Sequence, residues 1–178
     1  MALSNAYEIL SGVGTLYIAP EDEAAPDVDA VPAGNWSEMG ETDGGVKVIK
    51  GSEYEKQFTD QRTGPVKVIR TEESLVIETN LVQATLENLA QVLGGTTVTD
   101  NAPGASDVGY REMGLYMGQD VTSYALLFRG ESQSPYGASY PSQLWIPRGY
   151  FAGEIEMEFV KDGKVVIPVM FEALEDLG

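Results

Sequence analysis

Three glutamates at alternate positions, Glu154, Glu156 and Glu158, come nearest to a chemical site by type and spacing. They are interleaved with Ile155, Met157 and Phe159. In a strand, residues two apart share a face. The pattern therefore predicts a strand that buries three apolar side chains and sets three carboxylates in a row. Carboxylate pairs alone can run glycoside hydrolysis. That chemistry needs two carboxyl groups in different environments, one with a raised pKa, whereas a regular row supplies three alike. The row reads instead as a solvated sheet face. Same-face neighbours about 7 Å apart repel by roughly 0.6 kcal/mol in water, which strand pairing and apolar burial can offset.

Other chemistries fail on residue type. The chain has no His and no Cys, which removes Ser-His-Asp and Cys-His nucleophiles and zinc sites built on these ligands. Walker A spacing is absent, and Gly12-Val13-Gly14 precedes a strand, where turn glycine is the simple reading. Asp27 with Asp29, and Asp100 with Asn101 and Asp107, suggest calcium, yet neither set has EF-hand spacing. Loop solvation and Asx turns account for them. Tyr136, Tyr140, Trp145 and Tyr150 cluster among Pro and Gly. They suit a sugar-stacking platform, or an interface or core. No catalytic group, metal or cofactor is expected.

The elements that must position these residues sit in a chain of 178 residues, one domain's worth. Its 28 acidic and 11 basic residues give a formal charge of −17. Such a surface repels nucleic acid and anionic membranes. No Lys or Arg precedes Lys47, while Glu21, Asp22, Glu23, Asp27 and Asp29 crowd one stretch. The start, MALSNAYEILSG, lacks signal-peptide character, and no run reaches the roughly 20 apolar residues of a membrane helix. Asn35-Trp36-Ser37 matches a glycosylation sequon by chance.

Residues 1–12 read as an arm and 13–178 as a single β-rich domain, with long loops near 20–34, 47–60 and 95–110. GTLYIAP alternates as a strand ended by Pro20. Trp36 and Met39 return the chain to the core after the acidic loop, read as mobile. Val46, Val48, Tyr54 and Phe58 mark a strand pair or a long bent strand interrupted around Gly51-Ser52. PVKVIRTEESLVIETNL gives one or two strands. EMGLYMG and SYALLFRG give two more, with an extended Leu144-Trp145-Ile146 after them. One helix is expected over NLVQATLENLAQVLGG: Val82, Leu86, Leu89 and Leu93 form its stripe, Asn80 with Gln83 its capping pair, and Gly94-Gly95 its stop. Lys161-Asp162-Gly163-Lys164 predicts a tight hairpin turn, followed by a last strand that carries Val165, Ile167, Val169 and Phe171. The fold class is mainly β, a sandwich or barrel with one packed helix.

The order of several pieces carries a family resemblance. They are Gly14 to Pro20 (GTLYIAP), Trp36 to Val46 (WSEMGETDGGV), Asp60-Gln61 before Pro65-Val66, Thr71-Glu72-Glu73-Ser74, Gln83 to Ala90 (QATLENLA), Lys161-Asp162-Gly163-Lys164, and Ile167 to Leu174 (IPVMFEAL). The run, from Gly14 to Asp176, resembles the major tail tube proteins of long-tailed, siphovirus-like bacteriophages. The resemblance implies a β-sandwich-like tail tube fold and hexameric rings stacked into a conduit for double-stranded DNA. It also implies tape-measure, tail terminator and distal tail proteins as partners, with location in the virion tail and assembly in the host cytoplasm. Glu154, Glu156, Glu158, Glu72 and Glu78 become candidates for an acidic lumen that passes DNA without binding it. Met1, Ala2, Leu3 and Tyr7 of the arm, with Lys50, Glu53 and Tyr54, become candidates for contact with the adjacent ring. No membrane binding is expected. Alternatives are a tail terminator or head decoration protein, or a carbohydrate-binding β-sandwich.

Overall fold

The computed structural model describes residues 14–94, 96–105, 107–118, 120–130, 142–157, 161 and 163–175. Its strands in chain order are β1 (Gly14–Pro20), β2 (Ser37–Glu38), β3 (Thr42–Gln57) and β4 (Lys67–Leu81), then, after helix α1 (Leu86–Val92), β5 (Val98–Asn101), β6 (Tyr110–Met113), β7 (Tyr124–Gly130), β8 (Gln143–Ala152) and β9 (Ile167–Ala173). Seven form one sheet in the order β2-β1-β7-β8-β9-β4-β3, antiparallel throughout, and β5 pairs with β6 apart from it.

The connection between β2 and β3 shapes this sheet. These strands are its opposite edges, yet only residues 39–41 join them. Seven strands laid flat would separate the edges by about 29 Å, and three linking residues reach no more than about 14 Å. The sheet therefore rolls up, and the mainly β fold is sandwich-like, as the alternation predicts. Gly40 makes the turn at φ +92°, and a Cβ there would strike the Gln83 side chain.

Rolling brings Leu16 and Ile18 of β1 into one core with Ile77 and Leu81 of β4, Leu126 of β7, Ile146 of β8, and Ile167, Val169 and Phe171 of β9. Met39 fills the seam between the edges, fully buried. Helix α1 lays Leu89 and Val92 on this core. Its first turn is capped by Thr85, whose hydroxyl accepts from the Asn88 N–H at 3.2 Å. The buried Asn88 side chain in turn donates to the Met39 and Gln83 carbonyls.

The helix corrects one expectation. Asn80 is not part of its cap: it sits in β4, opposite Asp43 and Pro168. The bond from Val82 N–H to the Glu41 carbonyl carries ladder-like pairing past β4, so the helix begins six residues after Asn80. Two loops are also corrected. Residues 47–60 are ladder as far as Gln57, unbroken at Gly51-Ser52, and 95–110 contains β5. The strand expected over EMGLYMG stops at Met113, leaving Leu115 and Met117 exposed.

The largest correction falls on the opening motif. Residues 154–157 belong to no strand; Glu158 and Phe159 lie outside the described residues. β9 is paired on one side to β8 and on the other to β4, so neither of its edges is open to a hairpin partner. Gly153, at φ +87°, turns the chain away as β8 ends. The alternation survives as burial alone: Ile155 and Met157 pack on the core while Glu154 and Glu156 face solvent. The hairpin turn expected at Lys161–Lys164 includes Asp162, which lies outside the described residues; Lys161, Gly163 and Lys164 join no ladder pair.

Candidate assembly surfaces

With the core on one face of the sheet, alternation fixes what the other face carries. On β4, Ile77, Thr79 and Leu81 point inward, so Glu72 and Glu78 share the outward face. On β9, Val169 and Phe171 point inward, which turns Met170 and Glu172 outward. Lys47 of β3 meets Glu78 at 3.1 Å, and the Tyr150 hydroxyl donates to Glu172 at 2.8 Å. This bond raises the Tyr150 pKa, with burial adding to the effect. Glu154 and Glu78 line one shallow groove with Asp43, Lys47 and Met170.

The outward face is therefore acidic, but its composition differs from the reading of the sequence. Glu72, Glu78 and Glu154 are on it or border it. Glu156 is exposed and off the ladder, and Glu158 is outside the described residues. Sequence reasoning missed Glu172 as an outward carboxylate, although the alternation of Val169 and Phe171 signals it. It also missed that Glu53 lies directly opposite Glu72. Register, not local pattern, makes that pair.

Beyond its pairing with β9, β4 continues with β3 as a two-stranded ribbon. β9 contacts β4 only over Val76–Leu81, whereas β3 and β4 stay paired from Lys50↔Leu75 to Gln57↔Lys67. Residues 53–73 are all exposed, Tyr54 and Val68 at 55% and 52%. Thr71 is the extra residue of a bulge between Glu53 and Tyr54. Lys50 and Arg70 both bind the Glu73 carboxylate, Lys50 at 2.6 Å, and hold its pKa below the usual range. The same contact raises the pKa of Arg70. Lys50, Glu53 and Tyr54 all lie on this ribbon; Met1, Ala2, Leu3 and Tyr7 are outside the described residues. No described strand pairs with the outer edge of β3 over its 16 residues.

The acidic stretch 21–36 is strapped across the outward face of β1 and β7. Trp36 packs with Ala19, Ala125 and Leu127, and its indole N–H donates to the Ala24 carbonyl. The Arg129 guanidinium donates to the Asp27 and Ala30 carbonyls and to Gln143, which itself donates to the Pro26 carbonyl. Glu21 pairs with Arg148 at 3.1 Å. Among the described residues, the aromatic cluster is represented by Trp145 and Tyr150 alone. Trp145 is cross-strand from Leu127, Tyr150 is engaged with Glu172, and Tyr136 and Tyr140 are outside the described residues. Asp100 pairs with Arg111, and no group of three acidic side chains able to hold a metal occurs among the described residues.

A rolled β-sheet with an acidic face, an edge that no described strand covers and a projecting ribbon offers surfaces for contact with other chains. Comparison of the sequence with known families decides which kind: the family described as Phage tail tube protein matches residues 1–178. The chain belongs to the phage tail tube protein family. It is a structural protein of the virion tail, of a family that builds a tube with other tail proteins and is not an enzyme class. A search of curated proteins finds no match.

Proposed function

We propose that this tail tube protein forms hexameric rings that stack into the tube and pass double-stranded DNA from the virion. Residues 13–178 act as one domain, and residues 1–12 act as its arm. The observation that carries this reading is the open edge of β3. A long exposed edge is a template for pairing with another chain, and free proteins usually blunt it. Pairing with a strand of the next subunit turns that liability into a ring contact. The β3–β4 ribbon, with Lys50, Glu53 and Tyr54, then reaches the adjacent ring together with the arm residues Met1, Ala2, Leu3 and Tyr7.

The acidic outward face at β3, β4 and β9 serves as the lumen, lined by Glu72, Glu78 and Glu154 and extended by Glu156 and Glu158. Each phosphate contact from a basic wall would release counterions and hold the genome. Carboxylates leave DNA repelled and hydrated, so it passes without specific binding. Tape-measure, terminator and distal tail proteins complete the tail, and assembly takes place in the host cytoplasm. Negative-stain electron microscopy across a concentration series tests the reading. Hollow tubes or six-fold rings are expected; closed assemblies of another symmetry would overturn it. Particles carrying Glu72→Lys, Glu78→Lys and Glu154→Lys are expected to eject DNA slowly, and unimpaired ejection would remove the lumen assignment.

A further inference from the structure

Charge is divided within the chain in a way the tube reading does not use. Residues 47–70 hold six of the 11 basic residues and only three of the 28 acidic ones, a net charge of +3 in a chain of −17; Lys47 is paired with Glu78, and Lys50 and Arg70 with Glu73, which leaves Lys56, Arg62 and Lys67. The register divides the ribbon further. Tyr54 is opposite Arg70 and Lys56 opposite Val68, so these four share a face, which Lys50 extends. Glu73, opposite Ser52, lies on this same face and pairs with Lys50 and Arg70; the other face holds Glu53, Glu55 and Glu72. Lys56, Arg62 and Lys67 make no ion pair among the described residues, and neither do Asp22, Asp27 and Asp29 of the strap. Unpaired Lys56 thus sits beside exposed Tyr54 and Val68 on the ribbon, and unpaired carboxylates sit on the strap, each exposed.

We propose that the basic, apolar face of the ribbon (Lys50, Tyr54, Lys56, Val68, Arg70) docks on the acidic strap 21–36 of a neighbouring copy. This rests on the tube reading and names the surface the ribbon meets. Charge complementarity identifies the occupant as a second copy of this chain. Outside residues 47–70 the chain carries a net charge of −20, and the strap is the densest run of it. The strap is held in place by Arg129, Gln143 and Trp36, so docking on it requires little ordering of the target. Nucleic acid is the poorer fit, since the ribbon's reverse face and the rest of the molecule repel phosphate.

The absence of native cysteine makes the contact directly testable. Full-length protein with Lys56→Cys and Asp29→Cys is polymerised, oxidised and run without reductant, beside each single variant. A ladder of cross-linked chains from the double variant alone is expected. Tubes without a ladder overturn the contact and leave the tube reading standing; neither tubes nor ladder overturns both. A second arm reverses charge. Lys56→Glu with Arg70→Glu is expected to lower the polymer fraction about tenfold, and adding Asp27→Lys with Asp29→Lys to restore it. Failure of the restoring pair in folded protein overturns the assignment. So does a DNA duplex affinity that Lys56→Glu abolishes, which gives the ribbon to nucleic acid.

Discussion

The segments 20–34 and 47–60 both read as long loops, and the structure treats them in opposite ways. The first has no strand between Pro20 and Ser37, yet it is tied down by Arg129 and Gln143, distant in the chain, and by burial of Trp36 just after it. The second is regular ladder over most of its length, yet it packs on nothing beyond its own partner strand. Regularity and anchorage are thus separate properties. A segment with few hydrogen bonds of its own can be fixed by a guanidinium that collects its carbonyls. A ladder with every internal bond made stays marginal when neither face is covered.

Substitution at Trp36 breaks this comparison most strongly. Trp36 is 7% exposed and is the only strap residue in the second core cluster. Trp36→Ala should cost about 3 kcal/mol in urea unfolding, near the low end for large buried aromatics. Tyr54→Ala on the ribbon should cost less than about 0.5 kcal/mol, as exposed changes do. Equal costs would mean that the ribbon is anchored after all. Arg129→Ala comes next. It strips donors from the Asp27 and Ala30 carbonyls and from Gln143, at about 2 kcal/mol. Its signature is local: limited proteolysis within 21–35 should accelerate about tenfold while the sheet stays protected. Unchanged cleavage would show that Trp36 alone holds the strap.

How much of this was legible follows from the range of each interaction. Alternation placed Leu16 and Ile18, the strand at Ala125 to Phe128, and the inward Ile167, Val169 and Phe171, because period-two burial is local. It failed at Glu154 to Met157, where the pattern was right and the ladder absent. Whether a strand forms there depends on a free edge of β9, and β4 and β8, distant in sequence, take both. The helix was placed but overextended, since Asn80 is claimed by cross-strand partners before any cap forms. At the candidate surfaces, Glu72 and Glu78 were found by residue type. The facing of Glu53 on Glu72 needed the register, and the fixing of the acidic strap needed one arginine about a hundred residues away.

The smallest expected effect sharpens the ribbon side of the comparison. Glu73 ties Lys50 on β3 to Arg70 on its own strand near the point where the ribbon leaves the sheet. Its carboxyl is held below the ordinary range, first by the hydrogen bond to Lys50 and then by that to Arg70. A depressed folded pKa means that the link is in force above the unfolded value, near about 4.3 for Glu, and lost as pH falls through the folded one. Titration of the Glu73 carboxyl by NMR should therefore show a midpoint below the ordinary value, and Lys50→Met should move it upward. Because the group is exposed, solvent screens the pair and global stability should not register the change. Amide exchange in residues 50–57 should register it, rising below that midpoint while β9 stays protected. A midpoint indifferent to Lys50→Met would mean that Lys50 is not what ties the ribbon's base together.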